Sequence, residues 1–165
     1  MVMQTPLKYG SHLPVLMAAV QKTSGDILEL GCGVFSTPYL HSVSVLEKRQ
    51  VLTVDNDRQW LDYFGRDYQT KYHQLVHVPA WDQAKIDHAW DVALIDHAPA
   101  SRRIVDITRL ARLAKYIIIH DSNGRHEAEY HYSRIYPLFR HQFDFTQAYP
   151  STTVLSNRVN LRKFL

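Results

Sequence analysis

The sequence predicts an α/β fold built on an open, doubly wound sheet with helices on both faces. Short apolar runs of strand length alternate five times with segments whose apolar residues recur at helical spacing. Two further strand runs, 143–147 and 152–156, follow with no helix between them, so seven strands are expected. Ligands of such sheets bind beyond the carboxyl ends of the strands. Four acidic residues lie at ends of this kind: Glu29, Asp55, Asp96 and Asp121.

In the first half of the chain, helix-start signals separate three apolar strand runs. Ser11 is the expected N-cap of a helix over 11–22, whose apolar face is Leu13, Leu16, Met17 and Val20. The next helix begins at Thr37-Pro38, because proline suits the first helical position. Asp57 opens a third helix. The strands are predicted at 27–30, 51–54 and 74–78.

The second half continues the alternation. A strand is predicted at 90–95, followed by a helix that Ser101 caps and whose buried face is Ile104, Ile107, Leu110 and Ala111. The run 116–119 is apolar enough for the centre of a parallel sheet. A helix over 126–140, up to the region of Pro137, leads to the two terminal strands.

Length and composition indicate one domain. The 165 residues divide into an N-terminal helical cap segment, 1–24, and a core, 25–165. The N-terminus lacks the layout of a signal peptide, and no apolar run approaches the roughly 20 residues of a membrane span. The single cysteine, Cys32, suits a reducing compartment. These features predict a cytoplasmic protein with no membrane partner.

The net positive charge of the chain does not indicate a nucleic-acid partner. The net charge is +3 with a pI near 9.0, but the basic residues are scattered. Arg102, Arg103 and Arg109 fall along one predicted helix, where a solvated face is the simpler explanation. Attraction of an anionic substrate by this positive charge remains an alternative.

The stretch 27–37 carries the main chemical signal. A strand ends in Glu29, and Gly31 and Gly33 follow, where the backbone can approach a ligand that a Cβ would block. Asp55 ends the next strand, 22 residues after Gly33, and its carboxylate can accept from both hydroxyls of a ribose. A Gly-x-Gly loop also opens dinucleotide-binding folds, but Ser36 replaces their third glycine.

The segment resembles the first motif of class I S-adenosylmethionine-dependent methyltransferases, E/D-x-G-x-G. The resemblance implies a Rossmann-like, seven-stranded mixed sheet with an antiparallel terminal strand, and S-adenosylmethionine as the cofactor. It places the loop after the third strand beside the adenine and the polar segment before the first strand over the cofactor or substrate. The cofactor-binding residues implied are Glu29, Gly31, Cys32, Gly33, Ser36, Asp55, Asn56, Trp81, Asp82 and Asp96.

Histidines accompany the acidic residues after the fourth and fifth strand runs. Asp96-His97 and His120-Asp121 are predicted to meet at adjacent strand ends, as a general-base group or a site for a hard metal ion. The four residues are the predicted catalytic group, with Asp96 and Asp121 as ligands if Mg²⁺ is bound. The residues expected at the acceptor are Tyr9, His12, Asn123 and Tyr130.

These two strand ends resemble small O-methyltransferases. Leu94-Ile95-Asp96-His97 is similar to the I/L-D-H segment of the catechol type, and 118–123 is similar to the following turn of the catechol and the sugar or macrolide types. Asn123 stands one position later than the asparagine of the catechol type, and Ala98-Pro99-Ala100 occupies the place of its lysine. A metal-free site with histidine as the base is therefore favoured over one with Mg²⁺.

Three functions follow as hypotheses. The leading one is methylation of an oxygen of a small molecule or glycan, with a homo-oligomer as one way to complete the acceptor site. The second is an NAD-type oxidoreductase or nucleotide-binding module. The third is a catalytically degenerate methyltransferase-like binding module.

Overall fold

The computed structural model describes residues 6–165, and these form one mixed sheet of seven strands. The strands are β1 (Ile27–Leu30), β2 (Val51–Asp55), β3 (His73–His77), β4 (Trp90–Ile95), β5 (Ala114–Ile119), β6 (His141–Phe145) and β7 (Thr152–Ser156). Their order across the sheet is β3-β2-β1-β4-β5-β7-β6. Strands β1 to β5 are parallel, and β7 is antiparallel to both β5 and β6. The predicted α/β fold with an antiparallel terminal strand is confirmed.

Helices cover both faces of this sheet. The α-helices of the described range are α1 (Leu13–Gln21), α2 (Ser36–Glu47), α3 (Arg58–Tyr68), α4 (Arg103–Leu110) and the one-turn α5 (Glu127–Tyr130). Short 3-10 helices lie at Leu7–Gly10, Trp81–Gln83, Ala100–Arg102, Gly124–His126, Tyr132–Arg134 and Tyr136–Leu138. No helix in this part of the chain is long and apolar enough to cross a membrane.

Two apolar layers flank the central strands. On one face, Leu16 of α1 and Leu40 of α2 pack with the β-strand residues and with Phe164 near the carboxyl terminus. On the other face, Ile107 of α4 packs with the segment that follows β5, including Ile135. Every residue of β1 is buried, which is typical of a central parallel strand covered on both sides.

Several helix predictions need correction. Asp57 caps α3 as predicted, since its carboxylate accepts from the N–H groups of Gln59 and Trp60. The N-cap of α1, however, is His12 and not Ser11, and Met17 faces solvent with 41% of its surface exposed. The 3-10 helix at Ala100–Arg102 precedes α4 and displaces the predicted Ser101 cap.

The predicted helix over 126–140 is wrong. One α-helical turn and two 3-10 turns replace it, because His131 has a φ of +56° and ends the first turn. Pro137 then falls at the start of the last turn, where its missing N–H costs no hydrogen bond. Of the predicted N-terminal cap segment, residues 1–5 lie outside the described range.

Candidate active site

The loop after β1 requires glycine at position 31. Gly31 has a φ of +90°, which residues with a Cβ rarely adopt. A Cβ there would lie 2.7 Å from backbone atoms of Asp96 and His97. The Gly31 N–H donates to the Val54 carbonyl at 2.9 Å, and the Asp96 N–H donates to the Leu30 carbonyl at 2.9 Å. The carboxyl ends of β1, β2 and β4 are therefore packed backbone against backbone.

Glu29 lies beneath this loop and is fully buried. Its Oε2 accepts from the hydroxyls of Thr37, at 2.9 Å, and Thr53, at 2.6 Å, while Oε1 has no partner among residues 6–165. Burial raises the pKa of Glu29 to about 7, against the opposing effect of the nearby hydroxyl groups of Ser36, Thr53 and Thr37. The Thr37 hydroxyl also accepts from the Gly33 N–H at 2.9 Å. Glu29 thus supports the glycine loop from below.

Asp55 ties the loops after β1 and β2 together. Its Oδ2 accepts from the Cys32 N–H at 2.8 Å and from the Cys32 thiol at 3.3 Å, and its Oδ1 accepts from the Asp57 N–H at 2.8 Å. Burial, with the neighbouring Asp55 carboxylate, raises the pKa of the Cys32 thiol far above its ordinary value. Cys32 is therefore a neutral thiol and not a nucleophile.

An open cleft of about 610 Å³ lies beyond the strand ends. This volume is within the range of small-molecule sites. The cleft is lined by Gly31, Cys32, Asp55, Asn56, Asp57, Arg58, Gln59, Trp60, Asp96, His97 and Ala98. The loops that follow β1, β2 and β4 therefore supply the cleft, as the sequence pattern predicts for a doubly wound sheet.

A second, smaller cavity of about 280 Å³ shares Cys32, Trp60 and Asp96 with the cleft. Its remaining lining residues come from the N-terminal segment and the glycine loop: Tyr9, His12, Gly33, Val34 and Phe35. The titratable side chains at this cavity are those of His12, Asp96, Tyr9 and Cys32, and its other side chains are apolar or aromatic. Asp96 thus faces both spaces.

Asp96 and His120 form a hydrogen-bonded pair at the ends of β4 and β5. The His120 Nδ1 lies 3.1 Å from each carboxylate oxygen of Asp96, and its Nε2 lies 3.0 Å from the Ser11 hydroxyl. Burial lowers the pKa of His120, but the hydrogen bond and charge of Asp96 outweigh it, so the pKa is raised. The Asp96 pKa is lowered, because His120 and the guanidinium of Arg103 overcome the effect of burial.

Sequence reasoning assigned Arg103 to a solvated helix face, and this was wrong. Arg103 is buried at the start of α4, and its guanidinium donates to Asp96 at 3.0 Å and to the His97 carbonyl at 2.7 Å. It also lies 3.5 Å from Asp121 and over the ring of Tyr130. The signal that could have found it is its place at the start of the helix that follows β4, seven residues after the strand-end carboxylate Asp96.

Asp121 joins the same group with a φ of +58°. Its Oδ2 accepts from the Tyr130 hydroxyl at 3.1 Å and lies 3.8 Å from the His120 Nδ1. Because Arg103 already lies between Asp96 and Asp121, the predicted pair of oxygen ligands does not fit Mg²⁺, which demands an octahedron of oxygens.

His97 does not join the other three predicted catalytic residues. Its Nε2 is 3.1 Å from Asp106 of α4, and its ring packs on Trp81 with centroids 4.2 Å apart. Burial lowers the His97 pKa, against the opposing effect of Asp106. Asp106 also binds Arg102 and Arg109, so His97 belongs to a buried structural network and its predicted role as base is corrected.

The loop after β3 does not supply the predicted adenine contacts. Trp81 is buried in the core, where its indole N–H donates to the Ala98 carbonyl at 2.7 Å. The Asp82 carboxylate is exposed and pairs with Arg102 at 2.6 Å. Neither residue lines the cleft. Asn123, in the loop after β5, has a buried amide with no hydrogen-bond partner in the described part of the chain.

The fold resembles solved methyltransferase structures. A human methyltransferase 10 domain-containing protein superposes with a TM-score of 0.63 and 14% identity, over 95% of this chain and 84% of the other. The N-terminal domain of human METTL16, in complex with SAH, gives 0.60 and 11%, over 96% and 73%. The N-methyltransferase NodS from Bradyrhizobium japonicum, bound to S-adenosyl-l-homocysteine, gives 0.61 and 9%, over 93% and 88%.

The chain has the class I methyltransferase fold. At these identities the likeness concerns the fold alone. No protein-family model and no curated protein sequence matches the chain. The function must therefore be argued from the cleft, the cavity and the side chains that line them.

Proposed function

We propose that this protein is an S-adenosylmethionine-dependent methyltransferase with its cofactor in the 610 Å³ cleft. The observation that carries the proposal is the loop at Gly31, whose positive φ and missing Cβ let the ends of β1 and β4 pack closely beside a cleft that Asp55 and Asp96 line. Crystal structures of NodS and METTL16, which share the fold, contain the demethylated cofactor. This likeness supports the same ligand for the same loop.

Asp55 is the proposed ribose ligand. Its Oδ1 accepts one loop N–H and keeps a lone pair for a ribose hydroxyl, whereas its Oδ2 accepts from both the N–H and the thiol of Cys32, so a second ribose hydroxyl would replace the weak thiol bond. Asn56 and Trp60 border the same part of the cleft. Glu29 acts through the loop and not by contact, since it is fully buried and does not line the cleft.

The smaller cavity is the proposed acceptor site. It shares Cys32, Trp60 and Asp96 with the cleft, and this adjacency suits the in-line approach that displacement at a sulfonium methyl group needs. In the step, the acceptor oxygen bonds to the methyl carbon and the carbon–sulfur bond breaks with its electron pair passing to sulfur. S-adenosylhomocysteine leaves as a neutral thioether. The hydroxyl proton passes by way of the Asp96 carboxylate, which lines both spaces, to bulk water.

The acceptor is proposed to be a hydroxyl of a small molecule or glycan. Apolar and aromatic walls suit a ring, and the imidazole and carboxylate suit a hydroxyl donor. NodS is an N-methyltransferase, so the fold alone leaves the acceptor atom open. Oxygen is preferred here because of the acidic residue and histidine at this cavity.

The proposal is tested by calorimetric titration with S-adenosylmethionine and, separately, with NAD. We expect S-adenosylmethionine to bind and Asp55→Ala to weaken it by about 2–4 kcal/mol, through loss of two charge-assisted hydrogen bonds. The control is Asp62→Ala, which removes an exposed carboxylate of α3. Tight binding of NAD without S-adenosylmethionine would instead favour the oxidoreductase.

The non-catalytic alternative needs a measurement of turnover. Purified protein is incubated with S-adenosylmethionine and a panel of phenols, sugars and amines, and S-adenosylhomocysteine is quantified. Production that depends on a hydroxyl acceptor supports the enzyme, and Asp96→Asn should abolish it. Cofactor binding without product from any acceptor would support a binding module.

A further inference from the structure

We infer that His12, Asp96 and His120 form a site for a divalent transition-metal ion of the zinc type. Among residues 6–165, one ligand atom from each of these side chains lies within 4.8 Å of the other two. The set of two imidazole nitrogens and one carboxylate oxygen differs from the Asp96 and Asp121 pair predicted for Mg²⁺. It also differs in the metal that it favours, because imidazole suits Zn²⁺, Co²⁺ or Ni²⁺.

The hydrogen bonds of His120 prepare its Nδ1 as a ligand. The Ser11 hydroxyl has one hydrogen, and the Pro150 carbonyl at 2.7 Å can only accept it. Ser11 must therefore accept from the Nε2–H of His120, at 3.0 Å. Such an outer hydrogen bond fixes the tautomer of histidines that bind metals through the other nitrogen. It leaves Nδ1 facing the Asp96 oxygens at 3.1 Å, where either a proton or a metal ion lies between the electron-rich atoms.

His12 supplies an independent observation. It is 98% buried, and neither ring nitrogen has a hydrogen-bond partner in the described structure. Buried polar atoms are rarely left in this state. The His12 ring is edge-on to His120 with centroids 4.7 Å apart, at the wall of the smaller cavity. A metal ion between the two rings and Asp96 satisfies one of these nitrogens.

The charges around the three ligands permit a cation. Asp96 and Asp121 contribute two negative charges, and Arg103 contributes one positive charge. Arg103 binds the Oδ1 of Asp96 at 3.0 Å, whereas Oδ2 has His120 as its one hydrogen-bond partner among residues 6–165. The Oδ2 atom is therefore the oxygen that a metal ion can take without displacing the guanidinium.

The position of the metal site indicates its role in the methyl-transfer reaction. With three protein ligands, a zinc-type ion keeps a coordination position for water or substrate. Because His12 and Asp96 line the acceptor cavity, that position faces the hydroxyl that is to be methylated. Metal binding would lower the pKa of this hydroxyl and align its oxygen. This use rests on the proposed function, whereas the binding of the metal does not.

The test measures binding without cofactor or acceptor. The full chain is stripped with EDTA, dialysed, and titrated with Co²⁺ and Zn²⁺ by calorimetry, with the visible absorption of Co²⁺ as the second readout. We expect one equivalent to bind, a visible band from mixed nitrogen and oxygen ligands, and a higher melting temperature with metal. The variants His12→Ala and Asp96→Asn should each weaken binding at least tenfold.

The matched control is His88→Ala, which removes an exposed histidine outside the cluster. It should bind Co²⁺ as the unaltered chain does. Thermal unfolding without metal shows that each variant is folded, and His12→Ala serves as the variant for which the Asp96–His120 pair stays intact. Equal binding by His12→Ala and the unaltered chain, or no stoichiometric binding, would overturn the site. His120 would then be a protonated partner of Asp96, and the test of S-adenosylmethionine binding would be unaffected.

Discussion

At the scale of single residues, Glu29 shows how burial changes a carboxyl group. The side chain is enclosed between the glycine loop and the sheet, and burial raises its pKa to about 7 despite several hydroxyl donors. A carboxyl group of this kind is bound to a proton in the folded protein over a pH range in which the unfolded chain has lost it. The motif acid is therefore also a determinant of stability.

The Glu29 carboxyl group should consequently lower the stability of the protein as the pH rises from about 4.5 to about 7, by on the order of 3 kcal/mol in total, because in this window it holds a proton only in the folded state. Burial lowers the pKa of His12 and of His73 to about 4, and these two histidines act in the opposite direction, since only the unfolded chain holds their protons between about pH 4 and 6.5. Glu29→Gln should therefore make the free energy of unfolding rise more steeply with pH than it does in the unaltered chain. Urea denaturation at several pH values measures it, and Asp62→Asn, at an exposed site, should leave the slope unchanged.

At the scale of elements, α4 organises the ends of β4 and β5. Its first residue, Arg103, binds Asp96 and Asp121, and one turn later Asp106 binds His97 together with Arg102 and Arg109. The second network is buried at its centre, since the Asp106 side chain is not exposed at all. The first residue of α4 thus binds the carboxylates of Asp96 and Asp121, and the buried face of α4 binds the loop after β4 through His97.

Replacing Asp106 by Asn should therefore destabilise the fold by about 3–5 kcal/mol, because it leaves buried partners without their common counter-charge. Asp87→Asn is the matched control. Asp87 also pairs with Arg109, but its side chain is 64% exposed, so its loss should cost about 1 kcal/mol or less. Chemical denaturation of both variants provides the comparison, and similar costs would contradict the role given to Asp106.

The glycine loop yields a second prediction at this scale. Gly31→Ala places a Cβ 2.7 Å from backbone atoms of the loop after β4 and forces an unfavourable φ. We expect a loss of both stability and cofactor affinity. Gly65→Ala is the control, because a Cβ there meets no atom within 4 Å. It lies inside α3 and should stabilise the chain or leave it unchanged. Calorimetric titration and thermal unfolding measure both effects.

At the scale of the whole molecule, the two apolar layers share the same central strands. Residues such as Leu28 and Ile27 alternate between the two layers along β1. A sheet that is covered on both faces cannot lose one layer without exposing the strands to water. We therefore propose that the described residues, 6–165, unfold as one domain.

Differential scanning calorimetry should accordingly show one transition, with equal calorimetric and van't Hoff enthalpies. S-adenosylhomocysteine at a hundred times its Kd should raise the free energy of unfolding by about 2.7 kcal/mol and move the whole transition. Asp62→Ala should respond in the same way, and Asp55→Ala should respond less at the same concentration. Two separate transitions would contradict the single domain.

The sequence by itself determined the order of strands and helices, the glycine loop and the acidic residues at the strand ends. These features follow from local patterns, since apolar periodicity and glycine after a strand depend on residues close together in the chain. The predicted helix over 126–140 does not form, because His131 has a left-handed backbone conformation that ends the first turn. The apolar pattern gives no sign of this conformation.

Only the tertiary structure decided which side chains meet at the site. Ser11 and His120 are 109 residues apart in sequence, and the hydroxyl predicted to cap a helix instead binds the imidazole. Likewise His97 faces Asp106, nine residues later in the chain, and not its neighbour Asp96. Partner choice depends on packing between distant elements, and local periodicity carries no information about it.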